Sequence, residues 1–347
     1  MARSMRPKVL LTGATGFIGY YIAHALAARG QSFAALVRSG SDTTYLRELA
    51  DHCLLIEGDL TDPESLLDAL QGIEVVLHAA ACVSYQSHDE DLLMKVNAGG
   101  TANLVNMMLE VGTPRLVYLS SVAALNRVDG GQPIELTDRW PLEKPNTPYA
   151  RSKFAAEREV WRGQAEGLSV AAAYPATVLG AGDWNSNNTP ALWRRAAAGG
   201  SIYPLGTAGF VDVRDVSRAM LCLLDRAIDR DRFLLVSESL SWHQVLTAVA
   251  RSIDVDPPSY GMPAWQSSLL WPVEKLRAKL TDRSPLITRD THRNMQATFR
   301  YDGSSYTEQT GNRYVPIAAT IRETGKAFLV SKTMGEELPP TFLPLLQ

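Results

Sequence analysis

The chain lacks the features that mark secreted, membrane-spanning and nucleic-acid-binding proteins. It has only three cysteines, Cys53, Cys82 and Cys222, which are odd in number and widely spaced. They form neither a disulfide framework nor a metal-binding pattern, and they favour a reducing, cytoplasmic location. No apolar run approaches the roughly 18 residues that a membrane-spanning helix needs. The apolar run after the basic first residues is too short for a signal peptide.

Charge of one sign is also scarce. The formal net charge of the 347 residues is −3 and the charges are interspersed, so no nucleic-acid-binding surface is expected. Hydrophobic residues make up 46% of the chain, which provides a sizeable core and excludes disorder. The length fits one large domain, or one domain with a substrate-binding extension.

The most informative stretch joins a predicted strand, Lys8–Leu11, to a predicted helix, Tyr20–Arg29. Between them stands Thr12-Gly13-Ala14-Thr15-Gly16-Phe17-Ile18-Gly19. We expect Gly13 to permit a tight turn, Gly16 to let a pyrophosphate approach the backbone and Gly19 to let the helix pack closely. Free N–H groups at the positive helix start would then face the phosphates. This context favours a dinucleotide site over an ordinary strand–helix turn.

Strands and helices alternate through the first half of the chain. Further strands are predicted over Phe33–Val37, Cys53–Ile56, Val75–Leu77, Arg115–Leu119 and Val170–Tyr174, with helices such as Pro63–Leu70 and Ala98–Val111 between them. Continuously apolar strands separated by helices predict an α/β fold with a doubly wound parallel sheet covered on both faces. Ligands then bind at the carboxyl ends of the strands.

The second half is less regular, and it suggests a smaller interleaved lobe. We expect a dinucleotide-binding domain over residues 1–176, to which residues 209–235 return. Residues 177–208 and 236–310 would form a C-terminal substrate-binding lobe, and residues 311–347 a helix and tail. Residues 126–148 are rich in proline, glycine and charge and are predicted to form a loop over the site.

Tyr149 and Lys153 stand at positions i and i+4 of a predicted helix, Ala150–Trp161, and so share one face. A phenol normally has a pKa of about 10. A neighbouring ammonium lowers that pKa, so that the phenol can exchange a proton with a substrate oxygen. Ser121, preferred to Ser120, follows a strand at the carboxyl edge, where its hydroxyl can hydrogen-bond the same oxygen. An exposed helix pair and a strand-end cap are the non-catalytic alternatives.

With these motifs the chain resembles the extended short-chain dehydrogenase/reductases of the NAD-dependent epimerase/dehydratase superfamily. Within them it is most similar to the branch that holds dihydroflavonol-reductase-like and 3β-hydroxysteroid-dehydrogenase-like proteins. The matching segments are Thr12–Gly19, Gly58–Leu60, His78–Ala81, Val96–Leu104, Ser120–Ser121, Tyr149–Lys153, Tyr174–Gly180 and Phe210–Val216. The resemblance covers nearly the whole chain and implies a Rossmann-type fold.

The resemblance also implies roles for individual residues. Tyr149 would be the acid/base, Lys153 its partner and Ser121 the oxyanion donor. Asn97 would bond backbone near the site or cap a helix. Cofactor contacts would come from Gly13, Thr15, Gly16, Phe17, Ile18, Gly19, Arg38, Asp59, Leu60, Ala79, Ala80, Ala81, Tyr149, Lys153, Tyr174, Pro175, Ala176 and Val178. The substrate would meet Cys82, Ser121, Val122, Ala123, Tyr149 and Thr177.

The end of the second predicted strand indicates which dinucleotide binds. NAD-binding enzymes usually place a carboxylate there for the ribose hydroxyls. This chain has Arg38 instead, followed by Ser39 and Ser41, and its nearest acid is Asp42. Because a guanidinium suits phosphate geometry, the pattern favours NADP over NAD. A solvated loop arginine is the alternative.

These features predict an NADP-dependent carbonyl reductase or alcohol dehydrogenase acting on a small, largely apolar or aromatic substrate. A sugar-nucleotide epimerase or dehydratase that retains NAD is one alternative, although Val122–Leu125 offer no helper hydroxyl or acidic pair after Ser121. A non-catalytic NADP sensor is another, although such relatives commonly lose the tyrosine or lysine. No metal is expected. The resemblance also implies a homodimer, because members of the family often dimerise through two helices per subunit. The corresponding segments here are Ala98–Val111 and Ala150–Trp161. Trp265–Trp271 would cover the pocket or meet a partner or membrane.

Overall fold

The structure is a computed structural model that describes residues 6–84, 86–125, 133–136, 147–186, 188–226, 228–263, 266, 295–335, 338 and 340–346. Most of the predicted loop over residues 126–148 lies outside the described residues. So does the segment Trp265–Trp271, predicted to cover the pocket or meet a partner or membrane, apart from Gln266. The fold and the site are therefore described from the remaining segments.

A seven-stranded parallel sheet forms the centre of the fold. Its strands are β1 (Val9–Thr12), β2 (Phe33–Val37), β3 (Cys53–Glu57), β4 (Val75–His78), β5 (Arg115–Leu119), β6 (Ser169–Pro175) and β10 (Arg232–Leu235). They lie in the order β10-β6-β5-β4-β1-β2-β3, and each neighbouring pair is parallel. The predicted α/β fold with a doubly wound parallel sheet is thus confirmed.

Two small sheets accompany the main one. Strands β7 (Thr177–Leu179), β9 (Thr207–Asp212) and β11 (Glu238–Ser241) form the first, and β8 (Ile202–Pro204) pairs with β12 (Tyr260–Met262) in the second. Residues 209–235 therefore contribute to both the main sheet, through β10, and the β7–β9–β11 sheet, through the end of β9. The division into two lobes stays a prediction.

The helices cover both faces of the main sheet. They are α1 (Phe17–Ala28), α2 (Thr44–Arg47), α3 (Pro63–Leu70), α4 (Glu90–Leu93), α5 (Gly100–Val111), α6 (Pro148–Ala165), α7 (Ala191–Ala197), α8 (Val213–Arg226), α9 (Trp242–Ser252), α10 (Ser304–Thr310) and α11 (Ile317–Met334). A π-helical segment, Met94–Gly99, leads into α5. None of the described helices combines the length and apolar character needed to cross a bilayer.

Alternate side chains along each strand point to opposite faces of the sheet and pack into two apolar layers. Leu10 and Leu116 pack with α3, α5 and α6, whereas Leu11 and Val117 pack with α1 and α8 on the other face. Both faces of these strands are buried, which explains why the strands are continuously apolar in sequence. The face toward α6 is the one that also carries polar side chains at the carboxyl edge.

Local signals fix where α6 begins. The Thr147 side chain accepts a hydrogen bond from the Ala150 N–H at 3.0 Å, and Pro148 occupies the first turn. The helix is therefore longer than predicted, starting before Ala150 and ending after Trp161. Its start places residue 149 in the first turn, next to the ends of the strands.

Buried carboxylates hold α8 to the C-terminal part of the chain. Asp212 pairs with Arg214 at 2.8 Å and accepts from the Thr320 hydroxyl of α11 at 2.7 Å. Asp215 accepts from the Val315 N–H at 2.8 Å. Both aspartates thus join packed elements.

The close contact between α1 and the turn before it generates a stability prediction. A Cβ built on Gly19 would lie 1.9 Å from the Gly13 carbonyl oxygen. Gly19→Ala should therefore lower the free energy of unfolding by about 2 to 3 kcal/mol, although alanine is the better helix former. Gly99→Ala is the matched control, because Gly99 has φ −63° and ψ −46° and its Cβ would meet nothing nearer than 3.7 Å. Urea unfolding of both variants tests this, and equal losses would contradict it.

Candidate active site

The turn between β1 and α1 forms a cradle of bare backbone. Gly13 has φ +77°, and a Cβ there would lie 2.6 Å from the Ala80 nitrogen. The Gly16 N–H donates to the Gly13 carbonyl at 2.9 Å, and no side chain caps the start of α1. The helix start is thus open to an anion, with only glycine tolerated at the tightest point. These residues fit the pyrophosphate of a dinucleotide.

The other residues predicted in this loop lie around the same turn. Thr15 and Gly16 are exposed, and Phe17 and Ile18 are half-buried. Across the turn, Ala79 and Ala80 are half-buried and Ala81 is exposed at the end of β4. The structure therefore brings the predicted glycine-loop and alanine residues together at the carboxyl ends of β1 and β4.

A cleft of about 680 Å³ opens beside the ends of β2 and β3. Its lining comprises Arg38, Ser39, Gly40, Ser41, Glu57, Gly58, Asp59, Asp62 and Ser65. Arg38 is exposed, and the hydroxyls of Ser39 and Ser41 accompany it in the lining. A guanidinium with neighbouring hydroxyls suits a phosphate group.

Asp59 is held by the chain that follows it. Its Oδ1 accepts from the Thr61 N–H at 2.7 Å and from the Thr61 hydroxyl at 2.9 Å. These bonds and the charges of Arg38 and Lys95 keep the pKa of the Asp59 carboxyl below its usual range. Both bonds use Oδ1, and the contact of Asp59 with the cofactor stays a prediction. Leu60, its predicted companion, is buried and its carbonyl accepts from Asn103 at 2.9 Å.

The two serines after β5 point to different partners. Ser120 is buried and donates to Glu157 Oε2 at 2.7 Å. Ser121 is half-buried, and its Oγ accepts from the Ala123 N–H at 3.1 Å at the start of a 3₁₀ turn, Val122–Ala124. Ser121, which is the preferred candidate, therefore remains nearer to solvent at the strand end.

Lys153 is buried beneath the edge of the sheet. Its Nζ donates to the Leu119 carbonyl at 2.8 Å and lies 4.5 Å from the centroid of the Tyr118 ring. Burial lowers the pKa of the Lys153 ammonium to about 7, and the charge of Glu157 opposes that shift. Tyr149, one turn earlier on the same helix, is half-buried. The helix thus places a phenol and a buried amine on one face at the carboxyl edge.

Asn97 ties this helix to the loop after β4. It accepts from the Cys82 N–H at 2.7 Å, donates to the Cys82 carbonyl at 2.9 Å and donates to Ser152 Oγ at 2.9 Å. Burial raises the pKa of the Cys82 thiol, which is the opposite of what a nucleophile needs. Asn97 therefore positions backbone near the site, and Cys82 remains a candidate for the substrate wall only.

One predicted cofactor residue has a different environment. The Tyr174 side chain is buried in the core, and its hydroxyl donates to Glu157 Oε1 at 2.7 Å. Because alternate strand residues point to opposite faces, position 174 turns toward α6 rather than outward. The cofactor contact of residue 174 stays a prediction, and the side chain itself is bonded inside the core. Pro175, Ala176 and Val178 are also largely buried, and Thr177 is half-buried.

Two buried polar residues, His78 and Glu157, were not assigned a role from the sequence. His78 Nδ1 lies 2.7 Å from Thr12 Oγ1, and its Nε2 lies 3.0 Å from Thr101 Oγ1. Burial, with the nearby charge of Lys153, lowers the pKa of His78 to about 3, so the ring is neutral. Glu157 is the second group, and its position four residues after Lys153 was an available signal. His78 ends the apolar run Val75–Leu77, and that run was the available signal for its burial.

The comparisons with known proteins agree with this arrangement. A model of the NAD dependent epimerase/dehydratase family matches residues 9–234. The chain belongs to this family. The resemblance inferred from the motifs is thereby confirmed. The chain is an oxidoreductase of a family that depends on a nicotinamide dinucleotide.

Individual relatives of this epimerase/dehydratase-family chain include reductases. One is a Synechocystis sp. protein named as a dihydroflavonol 4-reductase. It is 30% identical over 87% of this chain and 88% of its own length. Cinnamoyl-CoA reductase 1 of Oryza sativa subsp. japonica is 31% identical over 69% of this chain and 73% of its own length. The crystal structure of gox2253 matches with a TM-score of 0.78 at 28% identity, covering 93% of this chain and 98% of that one.

More distant family structures share the fold alone. The Bordetella bronchiseptica enzyme WbmH, solved in complex with NAD+, matches with a TM-score of 0.71 at 19% identity over 93% of this chain and 98% of its own. The same sheet and helices therefore serve proteins that differ widely in sequence.

The neutral state of His78 predicts how stability depends on pH. An unfolded imidazole takes up a proton near pH 6.5, whereas buried His78 does so only near pH 3. Stability should therefore fall as pH drops, by about 2 kcal/mol between pH 7 and pH 5 from this group. His78→Gln should remove that part of the pH dependence in urea unfolding. His88→Gln, at a side chain that is 69% exposed, should keep it. Equal pH slopes for wild type and His78→Gln would exclude His78 as the titrating group.

Proposed function

We propose that this protein is an NADP(H)-dependent oxidoreductase that interconverts a carbonyl group and a secondary alcohol. The observation that carries the proposal is the juxtaposition of Ser121 with the helix bearing Tyr149 and Lys153. All three stand at the carboxyl edge of the sheet, and a single strand, β4, separates β5 from the β1 strand that leads into the glycine cradle. Two relatives that are named as reductases support this assignment.

Each of the three residues has a distinct task in the reduction. The nicotinamide, when bound, supplies the hydride that reaches the carbonyl carbon. The Tyr149 phenol donates its proton to the carbonyl oxygen, so that one hydride and one proton complete the alcohol. Ser121 donates a hydrogen bond to the same oxygen as negative charge develops on it. The Lys153 ammonium stabilises the phenolate left on Tyr149. Oxidation of the alcohol reverses these steps.

NADP is proposed as the dinucleotide because of the cleft at the ends of β2 and β3. Arg38 and the hydroxyls of Ser39 and Ser41 line that cleft. They would bind a 2′-phosphate, and position 38 holds no carboxylate for a free ribose hydroxyl.

The proposed substrate is small and largely apolar or aromatic. Val122, Ala123 and Cys82 present apolar or weakly polar side chains around Ser121 and the end of β4, and Thr177 follows β6. The epimerase/dehydratase alternative is favoured by the shared fold of relatives solved with NAD+. It is opposed by the apolar Val122–Ala124 turn, which places neither a hydroxyl nor a carboxylate directly after Ser121.

Removing the Tyr149 hydroxyl tests the reaction. Tyr149→Phe should lower kcat about 100-fold to 10,000-fold, because general acid–base catalysis contributes that much. NADPH binding should change little, since the ring remains. The measurement is NADPH oxidation against a panel of ketones and aldehydes, with binding followed by fluorescence. Tight NADPH binding without turnover of any carbonyl by the wild type would support the sensor alternative. NAD retained through purification would support the epimerase.

Replacing Arg38 tests the choice of dinucleotide. Arg38→Leu should weaken NADPH binding about tenfold to 100-fold, as expected for a lost charge-assisted hydrogen bond, and leave NADH binding nearly unchanged. Arg47→Leu is the matched control, because Arg47 is an exposed arginine nearby at the end of α2. Titration calorimetry with both dinucleotides gives the comparison. A similar loss for NADH, or equal effects of the two substitutions, would contradict the proposed phosphate contact.

A further inference from the structure

A buried carboxylate lies below the proposed catalytic helix face. Glu157 is 5% exposed and accepts hydrogen bonds from the Ser120 hydroxyl at 2.7 Å, the Tyr174 hydroxyl at 2.7 Å and the Trp161 indole at 3.2 Å. All three donors are neutral. They stabilise the ionised carboxylate and fix both of its oxygens without cancelling its charge. The negative charge therefore remains available to a cation nearby.

Lys153 is the cation one helical turn away. It is 2% exposed, and its ammonium donates to the Leu119 carbonyl at 2.8 Å beside the face of the Tyr118 ring. A carbonyl and a ring face favour the ammonium but carry no full charge. Burial of an amine without a countercharge favours its neutral form. The site thus needs an anion if Lys153 is to stay protonated.

Titratable or charged groups on four strands and on α6 lie around this pair. They are His78 of β4, Tyr118 of β5, Tyr174 of β6, Arg232 of β10, and Tyr149 on α6 itself. His78 is neutral, and burial raises the pKa values of Tyr118 and Tyr174 well above 10, so both phenols are neutral as well. Arg232 lies 5.8 Å from the Trp161 ring centroid. Among these residues, Glu157 supplies the carboxylate. It stands one turn after Lys153 on α6, and it accepts from Ser120, the neighbour of the Leu119 whose carbonyl accepts from Lys153.

We propose that Glu157 is a positioning residue whose carboxylate, held by Ser120, Tyr174 and Trp161, keeps Lys153 protonated at the pH where the enzyme works. The inference rests on the proposed function, since it explains how the lysine assigned there remains a cation inside the protein. It also gives Ser120 a task different from that of Ser121. Ser120 orients the buried anion, whereas Ser121 faces the substrate oxygen.

The sign of the effect follows from the charge. Without the Glu157 carboxylate, the ammonium loses its stabilising partner, and Lys153 releases its proton at a lower pH. The neutral amine no longer favours the Tyr149 phenolate, so proton exchange with the substrate weakens. The alkaline limb of the pH profile of kcat/KM should therefore move to lower pH. A purely structural defect would instead lower activity by a similar factor at every pH.

Direct titration of Lys153 tests the proposal without substrate or cofactor. The full chain is labelled with [ε-¹³C]lysine, and the Cε signal missing from Lys153→Arg identifies residue 153. In Glu157→Gln the titration midpoint of that signal should fall by about one pH unit or more, a tenfold change in the protonation equilibrium. Tyr174→Phe is the matched control. It removes one donor to Glu157 but leaves the charge, so the midpoint should stay close to that of the wild type.

Activity provides the second measurement. Glu157→Gln should lose more kcat/KM at pH 8 than at pH 6, whereas Tyr174→Phe should keep the wild-type shape of the profile. An unchanged Lys153 midpoint in Glu157→Gln overturns the proposal, and so do equal shifts in Glu157→Gln and Tyr174→Phe. If Glu157→Gln does not fold, the Lys153 midpoint of the wild type still tests the proposal. A Lys153 midpoint more than one unit below the pH of maximal kcat/KM also overturns the proposal.

The two proposals fail separately. If no carbonyl substrate is reduced, the proposed function fails, while the lysine midpoint still shows whether Glu157 controls the charge of Lys153. If a carbonyl is reduced and the midpoint does not respond to Glu157→Gln, the role of Glu157 alone is wrong.

Discussion

An amine buried between a helix and a parallel sheet is the constraint to which the rest of the site is adapted. Lys153 lies against the end of β5, where the Leu119 carbonyl and the Tyr118 ring contact its ammonium. An isolated charge in such a place is costly. Polar side chains therefore interrupt an otherwise apolar layer at this level of the sheet, although the same layer is purely aliphatic deeper along the strands, as at Leu116 and Val170.

Strand alternation explains how this adaptation leaves the cleft free. Along β5, Leu116 and Tyr118 face α5 and α6, and Ser120 continues on that side toward Glu157. Ser121 leaves the sheet at the next position and starts a turn. Two adjacent serines thus have separate surroundings, one inside the helix–sheet layer and one at its edge. A shift of one residue in the register would exchange their surroundings, which is why strand pairing here matters for the chemistry.

Much of the sheet could be predicted from the sequence, and the buried polar groups could not. The strands Phe33–Val37 and Arg115–Leu119 and the helix Pro63–Leu70 match the prediction at both ends, because apolar runs and caps mark them locally. The small sheet of β7, β9 and β11 was not predicted, since its short strands pair over long sequence separations. His78 and Tyr174 end apolar runs, whereas Glu157 lies in a helix of mixed polarity. The hydrogen-bond partners of these three residues depend on tertiary packing, which propensity does not report.

The neutrality of His78 and the charge of Lys153 are physically linked. His78 packs against Tyr118 with ring centroids 5.6 Å apart, and the ammonium lies over that same phenol ring. A second cation so close would repel the first through a medium that screens poorly. The hydroxyls of Thr12 and Thr101 instead satisfy both ring nitrogens of a neutral imidazole. Neutral His78 thus links Thr12 at the end of β1 to Thr101 on α5 and needs no anion of its own. Glu157 is therefore left as the countercharge for Lys153.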